Sequence, residues 1–177
     1  MSNKKSWKTL NQLLQNKNQQ MARSIIIISL DITMKTLSDG ELRQLCKKYN
    51  VKINGIVNRD TLPPLKEGWT IMNLDLHTND GTHWTCYKVN AKQPHFYMDA
   101  FGIEPPQKLH DQLGKFVYNQ KEIQSMHSCS CGWFCIACIM LCEKWGNDLD
   151  AFNRFIKMFS YQPHLNEEML KEIFKIL

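Results

Sequence analysis

Four separate positions of the sequence carry residue types that could together perform nucleophilic catalysis: His83, Asp99, Gln124 and Cys131. A cysteine is an effective nucleophile only as its thiolate, and a free thiol has a pKa of about 8.5. Because Cys131 is predicted to begin an apolar helix, the positive end of the helix dipole would lower the pKa of its thiol. Gly132 would let a substrate carbonyl approach the backbone amide. The pattern therefore predicts Cys131 as the nucleophile.

The other three residues could supply proton transfer, orientation and charge stabilisation. The imidazole of His83 can take the proton of the thiol and later protonate a leaving amine. Asp99 could accept the second imidazole N–H, which would fix the tautomer and stabilise the imidazolium. The side-chain amide of Gln124 and the backbone amide of Cys131 would form an oxyanion hole. Each residue taken alone also has an ordinary structural explanation, so the prediction depends on their combination.

The chain contains seven cysteines, and five of them lie between residues 129 and 142. An odd number without the pattern of a secretory signal disfavours a disulfide framework. We interpret Cys135, Cys138 and Cys142 as small apolar side chains on one buried helix face. Cys129 could compete with Cys131 as nucleophile or form a strained disulfide with it, but only Cys131 is followed by glycine. We predict no metal site, because four sulfurs from one continuous helix cannot surround zinc tetrahedrally.

The composition is that of a globular domain, with 177 residues, 43% of them apolar and 22% charged. It excludes collagen-like, coiled-coil and wholly disordered chains. No apolar run approaches the roughly 18 residues of a membrane span, so we expect no membrane contact. Residues 1–35 contain six basic side chains and one acidic side chain, which accounts for the whole net charge of +5. We predict a basic N-terminal arm or docked extension over residues 1–35. It could contact nucleic-acid phosphates, or serve only as a solubilising or unfolded extension.

The hydrophobic pattern predicts the elements that must position the four residues. Ser38 and Glu41 have the spacing of a capping box, which begins a helix that ends near Asn50. Two β-rich segments, residues 69–76 and 82–90, are joined by a hairpin-type linker. Further predicted elements are a strand over 25–28, a loop over 54–64, a strand over 96–100, a helix from 105 to about 118, a short strand or loop at 123–124, and helices over 131–145, 148–159 and 166–177.

This order of elements predicts an α+β fold. We expect a small mixed or antiparallel sheet with helices packed on it, and the nucleophile at the N-terminus of a buried helix.

The sequence resembles the adenovirus-type (adenain-like) maturation proteases, which are relatives of the SUMO-specific proteases. The resemblance covers about residues 36–145. It rests on His83-Trp84, Asp99-x-Phe101-Gly102, Gln124 and Cys131-Gly132-x-Phe134-Cys135. The virophage and polinton (mavirus-like) branch is similar in Gly55-Ile56-Val57, Asp60-Thr61-Leu62-Pro63 and Gly81-Thr82-His83-Trp84.

The resemblance implies a papain-like core in a cysteine protease domain of residues 36–177. It implies an endopeptidase that processes capsid precursors during particle maturation, next to small residues such as glycine. Cys131 would be the nucleophile, His83 the general base and acid, Asp99 the orienting acid and Gln124 the oxyanion donor. No cofactor is required, and DNA or a basic peptide is implied as an activator. We expect a monomer that acts in the reducing interior of an infected host cell and in the virion.

Two other functions remain open. The same four residues would serve a deSUMOylase- or deubiquitinase-like isopeptidase, or an acyltransferase of the bacterial-effector type. A non-enzymatic binding module that holds zinc through Cys129, Cys131, Cys135 and Cys138 is disfavoured by the geometric argument given above.

Overall fold

The computed structural model describes residues 34–176. The chain divides into two units, Met1–Ile32 and Thr33–Leu177, and the described residues belong to the second. The strand predicted over residues 25–28 and nearly all of the predicted basic arm lie outside the described residues.

Five strands form one mixed sheet, in which their spatial order follows the order of the chain. The two central pairs are antiparallel, and each outer strand is parallel to its neighbour. The strands are β1 (Ile56–Asn58), β2 (Gly68–Asn73), β3 (Trp84–Val89), β4 (His95–Met98) and β5 (Phe116–Tyr118). Every residue of β3 and β4 is buried, which indicates that both faces of the centre of the sheet are covered.

Five helices lie in the described part of the chain, so the fold is α+β as predicted. They are α1 (Asp39–Lys48), α2 (Gln107–Leu113), α3 (Cys131–Lys144), α4 (Leu149–Lys157) and α5 (Pro163–Ile176). Helix α3 is central, because it contacts β3, α1, α4 and α5. None of the helices in residues 34–176 is long and apolar enough to cross a membrane.

Local sequence signals predicted several of these elements correctly. The capping box is present at α1, where the Ser38 side chain accepts from the Glu41 backbone N–H and the Glu41 carboxylate accepts from the Ser38 backbone N–H. The antiparallel β2–β3 pair is confirmed, although its connection is longer than the predicted linker and spans residues 74–83.

Four predictions were wrong in detail. The segment 54–64 contains β1 rather than only a loop. The helix predicted to continue to about residue 118 ends at Leu113, because Gly114 takes a positive φ of 64° and the aromatic and β-branched residues after it form β5. Helix α5 begins at Pro163 instead of residue 166, because proline is compatible with the first turn of a helix. Helix α3 is also buried on nearly all sides rather than on one face.

Gly102 closes the turn that follows β4, and we expect its replacement by alanine to destabilise the fold. Gly102 has a φ of +74°, and an added Cβ would lie 2.8 Å from the backbone carbon of Lys121. The positive φ and the close contact both disfavour a side chain at this position. The free energy of unfolding should therefore fall by about 1–3 kcal/mol in Gly102→Ala. Denaturant unfolding followed by circular dichroism measures this change.

Gly40 provides the matched control, since it lies in α1 and an added Cβ would meet no atom within 4 Å. Gly40→Ala should leave the protein as stable or raise its stability by up to about 1 kcal/mol. Equal losses of stability in the two variants would contradict the assignment of strain to Gly102.

Candidate active site

The sheet brings His83 and Asp99 together at one end of its strands β3 and β4. His83 directly precedes β3 and Asp99 directly follows β4. Because these neighbouring strands are antiparallel, the start of one lies beside the end of the other. His83 Nε2 is 2.8 Å from Asp99 Oδ1, the carboxylate is fully buried, and the imidazole side chain is 11% exposed. The two residues therefore form a buried hydrogen-bonded pair.

Further contacts hold Asp99 and the imidazole in place. The backbone N–H of Phe101 donates to Asp99 Oδ1 at 2.8 Å, and the Phe101 ring stacks on the imidazole with centroids 4.5 Å apart. Asn119, which follows β5, accepts the Asp99 backbone N–H at 3.0 Å and donates to the Asp99 carbonyl. The carboxylate of Asp99 is therefore held by His83 and Phe101, and its backbone is held by Asn119.

Cys131 is the first residue of α3 and lies against the start of β3. The backbone N–H of Trp84 donates to Cys131 Sγ at 3.5 Å. The Cys131 side chain also acts on the pKa of the His83 imidazole, so the two side chains are close neighbours. Since Nε2 of the imidazole is used by Asp99, the nitrogen left for the sulfur is Nδ1. The structure thus brings three of the four predicted residues together in the order Asp99, His83, Cys131.

The electrostatics of this cluster favour a protonated imidazole. Burial of His83 lowers the pKa of its imidazole, but the hydrogen bond to Asp99 and then the hydrogen bond to Cys131 and the charges of both groups act in the other direction. The balance raises the pKa of His83 from 6.5 to about 9. At neutral pH the proton therefore resides on the ring, between a carboxylate and a sulfur.

The first turn of α3 has backbone N–H groups that no carbonyl of the helix itself accepts, and they lie beside the sulfur. Ser130 is the N-cap, but its side chain does not cap the helix. Instead the Ser130 hydroxyl donates to the carboxylate of Glu167 at 3.2 Å. The uncapped N–H groups at the start of α3, including that of Cys131, can donate to a negatively charged oxygen.

Gln124 is buried close to the same elements, although no hydrogen bond joins it to His83, Asp99 or Cys131 within residues 34–176. Its side-chain Nε2 donates to the carbonyl of Ser128 at 2.9 Å, in the loop before α3. This bond uses one of two amide hydrogens, so one donor remains. The role of Gln124 as an oxyanion donor stays a prediction.

Gly132 has a structural explanation that the sequence did not reveal. An added Cβ would lie 3.1 Å from a Leu37 methyl carbon, 3.2 Å from a Leu42 methyl carbon and 3.3 Å from the Trp84 ring. Glycine therefore lets the start of α3 pack closely against these three side chains. Its role in substrate access stays a prediction.

A groove of about 450 Å³ opens onto Cys131, which is itself only 6% exposed. Of the four predicted residues, Cys131 alone is among the described residues that line it. One wall is the segment 36–39. The carbonyls of Lys35 and Leu37 accept from the indole N–H groups of Trp133 and Trp84 and so hold this segment in place. The loop over residues 79–82 also lines the groove.

The remaining cysteines divide into one exposed residue and a buried set. Cys129 is exposed, and all seven cysteines are free. Cys135, Cys138 and Cys142 are fully buried in α3, as expected for apolar side chains, and burial raises the pKa of the Cys135 and Cys138 thiols. Among residues 34–176, no group of three or more histidine, cysteine, aspartate or glutamate side chains is arranged to hold a metal ion.

Sequence reasoning missed two asparagines of this region, Asn119 beside Asp99 and Asn73 in the groove. Both are buried and follow or end short strands. An asparagine after an apolar segment resembles an ordinary turn residue, so the sequence offered no signal that separates these two from others.

Comparison with known proteins finds no matching family model and no matching curated protein. Among solved structures, the chain is similar to the crystal structure of the selenomethionine form of the ASFV pS273R protease. The identity is 15% and the TM-score 0.48, over 96% of this chain and 88% of that chain. A similarity this distant assigns neither a family nor site residues to this chain. The assignment of the site residues therefore rests on their own geometry.

The raised pKa of His83 can be tested without a substrate. In Asp99→Asn the carboxylate charge is lost while the side-chain shape is kept, so the pKa of His83 should fall from about 9 by about one pH unit or more. An NMR pH titration of protein labelled in its histidine rings measures this value.

The chain offers a matched control in a second histidine–carboxylate pair, in which His77 Nδ1 is 2.6 Å from Asp60 Oδ2 and the imidazole is mostly exposed. Asp60→Asn should leave the titration of His83 unchanged. A wild-type His83 that titrates near 6.5 would contradict the described electrostatics.

Proposed function

We propose that the protein is a cysteine endopeptidase in which Cys131 is the nucleophile, His83 the general base and acid, and Asp99 the orienting acid. The observation that supports this most directly is the chain of contacts from Asp99 through His83 to Cys131 at the start of a buried helix. A nucleophile, a base within hydrogen-bond reach and a group that orients the base are the arrangement required for covalent acyl transfer.

The reaction begins from a sulfur that has given its proton to the imidazole. The pKa of His83 of about 9 favours the imidazolium at neutral pH, and the Trp84 N–H donates to the sulfur. The thiolate attacks the carbonyl carbon of the scissile peptide bond, so that a C–S bond forms and the carbonyl oxygen becomes negatively charged. The backbone N–H of Cys131, together with Gln124, would donate to this oxygen.

The tetrahedral intermediate then collapses with help from the imidazolium. His83 gives its proton to the leaving nitrogen, the C–N bond breaks, and a thioester remains on Cys131. A water molecule gives a proton to the now neutral imidazole and attacks the thioester. The acid product leaves and the sulfur is released as thiolate beside the imidazolium, which restores the starting state.

We further propose that the enzyme belongs with the adenovirus-type maturation proteases, in the virophage and polinton branch, and has a papain-like core. Its substrates would be viral capsid precursors, cut near small residues such as glycine, within infected cells and virions. The motif resemblance over residues 36–145 supports this narrower proposal. We also propose that the enzyme is monomeric and requires no cofactor.

The concentration of positive charge in residues 1–35 supports DNA as an activator. The motif resemblance also implies a basic peptide as an activator. Contacts between basic side chains and phosphates weaken steeply as salt increases. Assays of the full chain should therefore be made with and without duplex DNA, at low and at high salt.

The identity of the nucleophile can be tested by substitution of the two neighbouring cysteines. Cys131→Ala should reduce turnover by at least about 1000-fold, because no other group replaces the thiolate. Cys129→Ala is the matched control and should retain activity. Mass spectrometry after treatment with a thiol-directed peptide electrophile should find the label on Cys131, and only when His83 is intact. A label on Cys129 and inactivity of Cys129→Ala would transfer the role to Cys129.

The substrate class is tested by incubation of the wild-type protein, and of Cys131→Ala in parallel, with two sets of proteins. Capsid precursors should be cleaved, with new termini at small residues that mass spectrometry identifies. SUMO- and ubiquitin-conjugates form the second set. Cleavage of the conjugates alone would favour an isopeptidase that uses the same residues, and acyl transfer without cleavage would favour an acyltransferase.

A further inference from the structure

Asn73 is a buried polar residue of the groove that the proposed catalytic steps do not use. It is the last residue of β2 and pairs with Trp84 in the antiparallel register. It therefore lies at the same end of the strands as His83. Asn73 is 4% exposed and lines the same groove as Cys131. A polar group that is buried to this degree normally has hydrogen-bond partners, so the two ends of its amide need separate explanations.

The oxygen end of the amide is fully used within the protein. Asn73 Oδ1 accepts the backbone N–H groups of Asp75 at 2.8 Å and Thr82 at 3.2 Å. Because both partners are donors, the atom between them must be the oxygen, and this fixes the orientation of the amide. The amide nitrogen makes no hydrogen bond with any residue from 34 to 176. The free donor is therefore Nδ2, since the loop after β2 holds only Oδ1 of the amide.

Gly81 leaves room for that donor. It also lines the groove and has a φ of +88°, and an added Cβ would lie 2.6 Å from Asn73 Nδ2. Any other residue at position 81 would displace the amide. The pair of Asn73 and Gly81 thus keeps an unpaired N–H donor at the wall of a groove that leads to the sulfur.

We propose that Asn73 Nδ2 donates a hydrogen bond to a main-chain carbonyl of an extended polypeptide in the groove and so anchors it beside Cys131. The inference rests on the proposed function and specifies how its substrate is held. A neutral amide donor matches a peptide carbonyl. The groove also carries the carboxylates of Asp39, Glu41 and Asp80, which disfavour an anionic acceptor such as a phosphate.

The test compares two reagents that alkylate Cys131 in the full chain. Iodoacetamide is too small to occupy the groove, whereas a tetrapeptide vinyl sulfone that ends in glycine presents several main-chain carbonyls. Asn73→Asp keeps the oxygen acceptor and the side-chain shape but removes the donor. We expect the rate of labelling by the peptide reagent to fall about tenfold or more, and the rate with iodoacetamide to stay unchanged.

Thr78→Asp is the control for the added negative charge, since Thr78 is exposed and lies on the same loop but does not line the groove. It should label at the wild-type rate with both reagents. A Thr78→Asp protein that loses peptide labelling as strongly as Asn73→Asp would attribute the effect to charge and overturn the anchor.

The remaining outcomes separate the anchor from the proposed function. Wild-type protein in which the peptide reagent shows no saturable labelling of Cys131 would overturn the peptidase itself. Saturable labelling that Asn73→Asp retains would overturn the anchor and leave the peptidase intact. A parallel fall in the rates of both reagents would show that Asn73 only supports the loop, which also overturns the anchor.

Discussion

The buried pair of His83 and Asp99 is the interaction on which the rest of the site depends. The carboxylate is fully buried, and its Oδ2 has no hydrogen-bond partner within residues 34–176, so its charge is compensated mainly through Oδ1. Loss of one partner from such a pair typically costs about 3–5 kcal/mol, because the other charge stays buried. The segments that supply Asn119 and Phe101 act on this pair by fixing the backbone of Asp99 and covering the imidazole.

Helix α3 connects this pair to the core of the protein. A nucleophile at the start of a surface helix would move with that helix, but α3 is buried nearly all round by β3, α1, α4 and α5. Gly132 lets Leu37, Leu42 and Trp84 approach its first turn closely, and Cys135 and Cys138 are small apolar side chains of its buried part. The position of the Cys131 sulfur relative to the sheet is therefore set by core packing, which tolerates little displacement.

Much of the fold could be predicted because its signals are local. The capping box of α1, the apolar run of α3 and the β-rich segments around β2 and β3 each lie within a few residues of one another. The outer strands β1 and β5 could not be predicted, since a three-residue strand has no periodicity to detect and exists only through pairing with a neighbour. Gly114 was a local signal for the end of α2, but the aromatic residues beyond it also suited a helix face.

By itself, the sequence determined the central elements and the presence of a histidine, an aspartate and a cysteine in positions where those elements could bring them together. The tertiary structure alone decided which atoms meet. Nε2 of His83 meets Asp99, and the backbone N–H of Trp84 meets the sulfur of Cys131. The backbone N–H of Thr82, in the loop before β3, meets Oδ1 of Asn73 and so orients its amide. These contacts depend on the register of β2, β3 and β4 and on the closure of long loops. Such pairings join residues that are distant along the chain, and no local pattern of side chains encodes them.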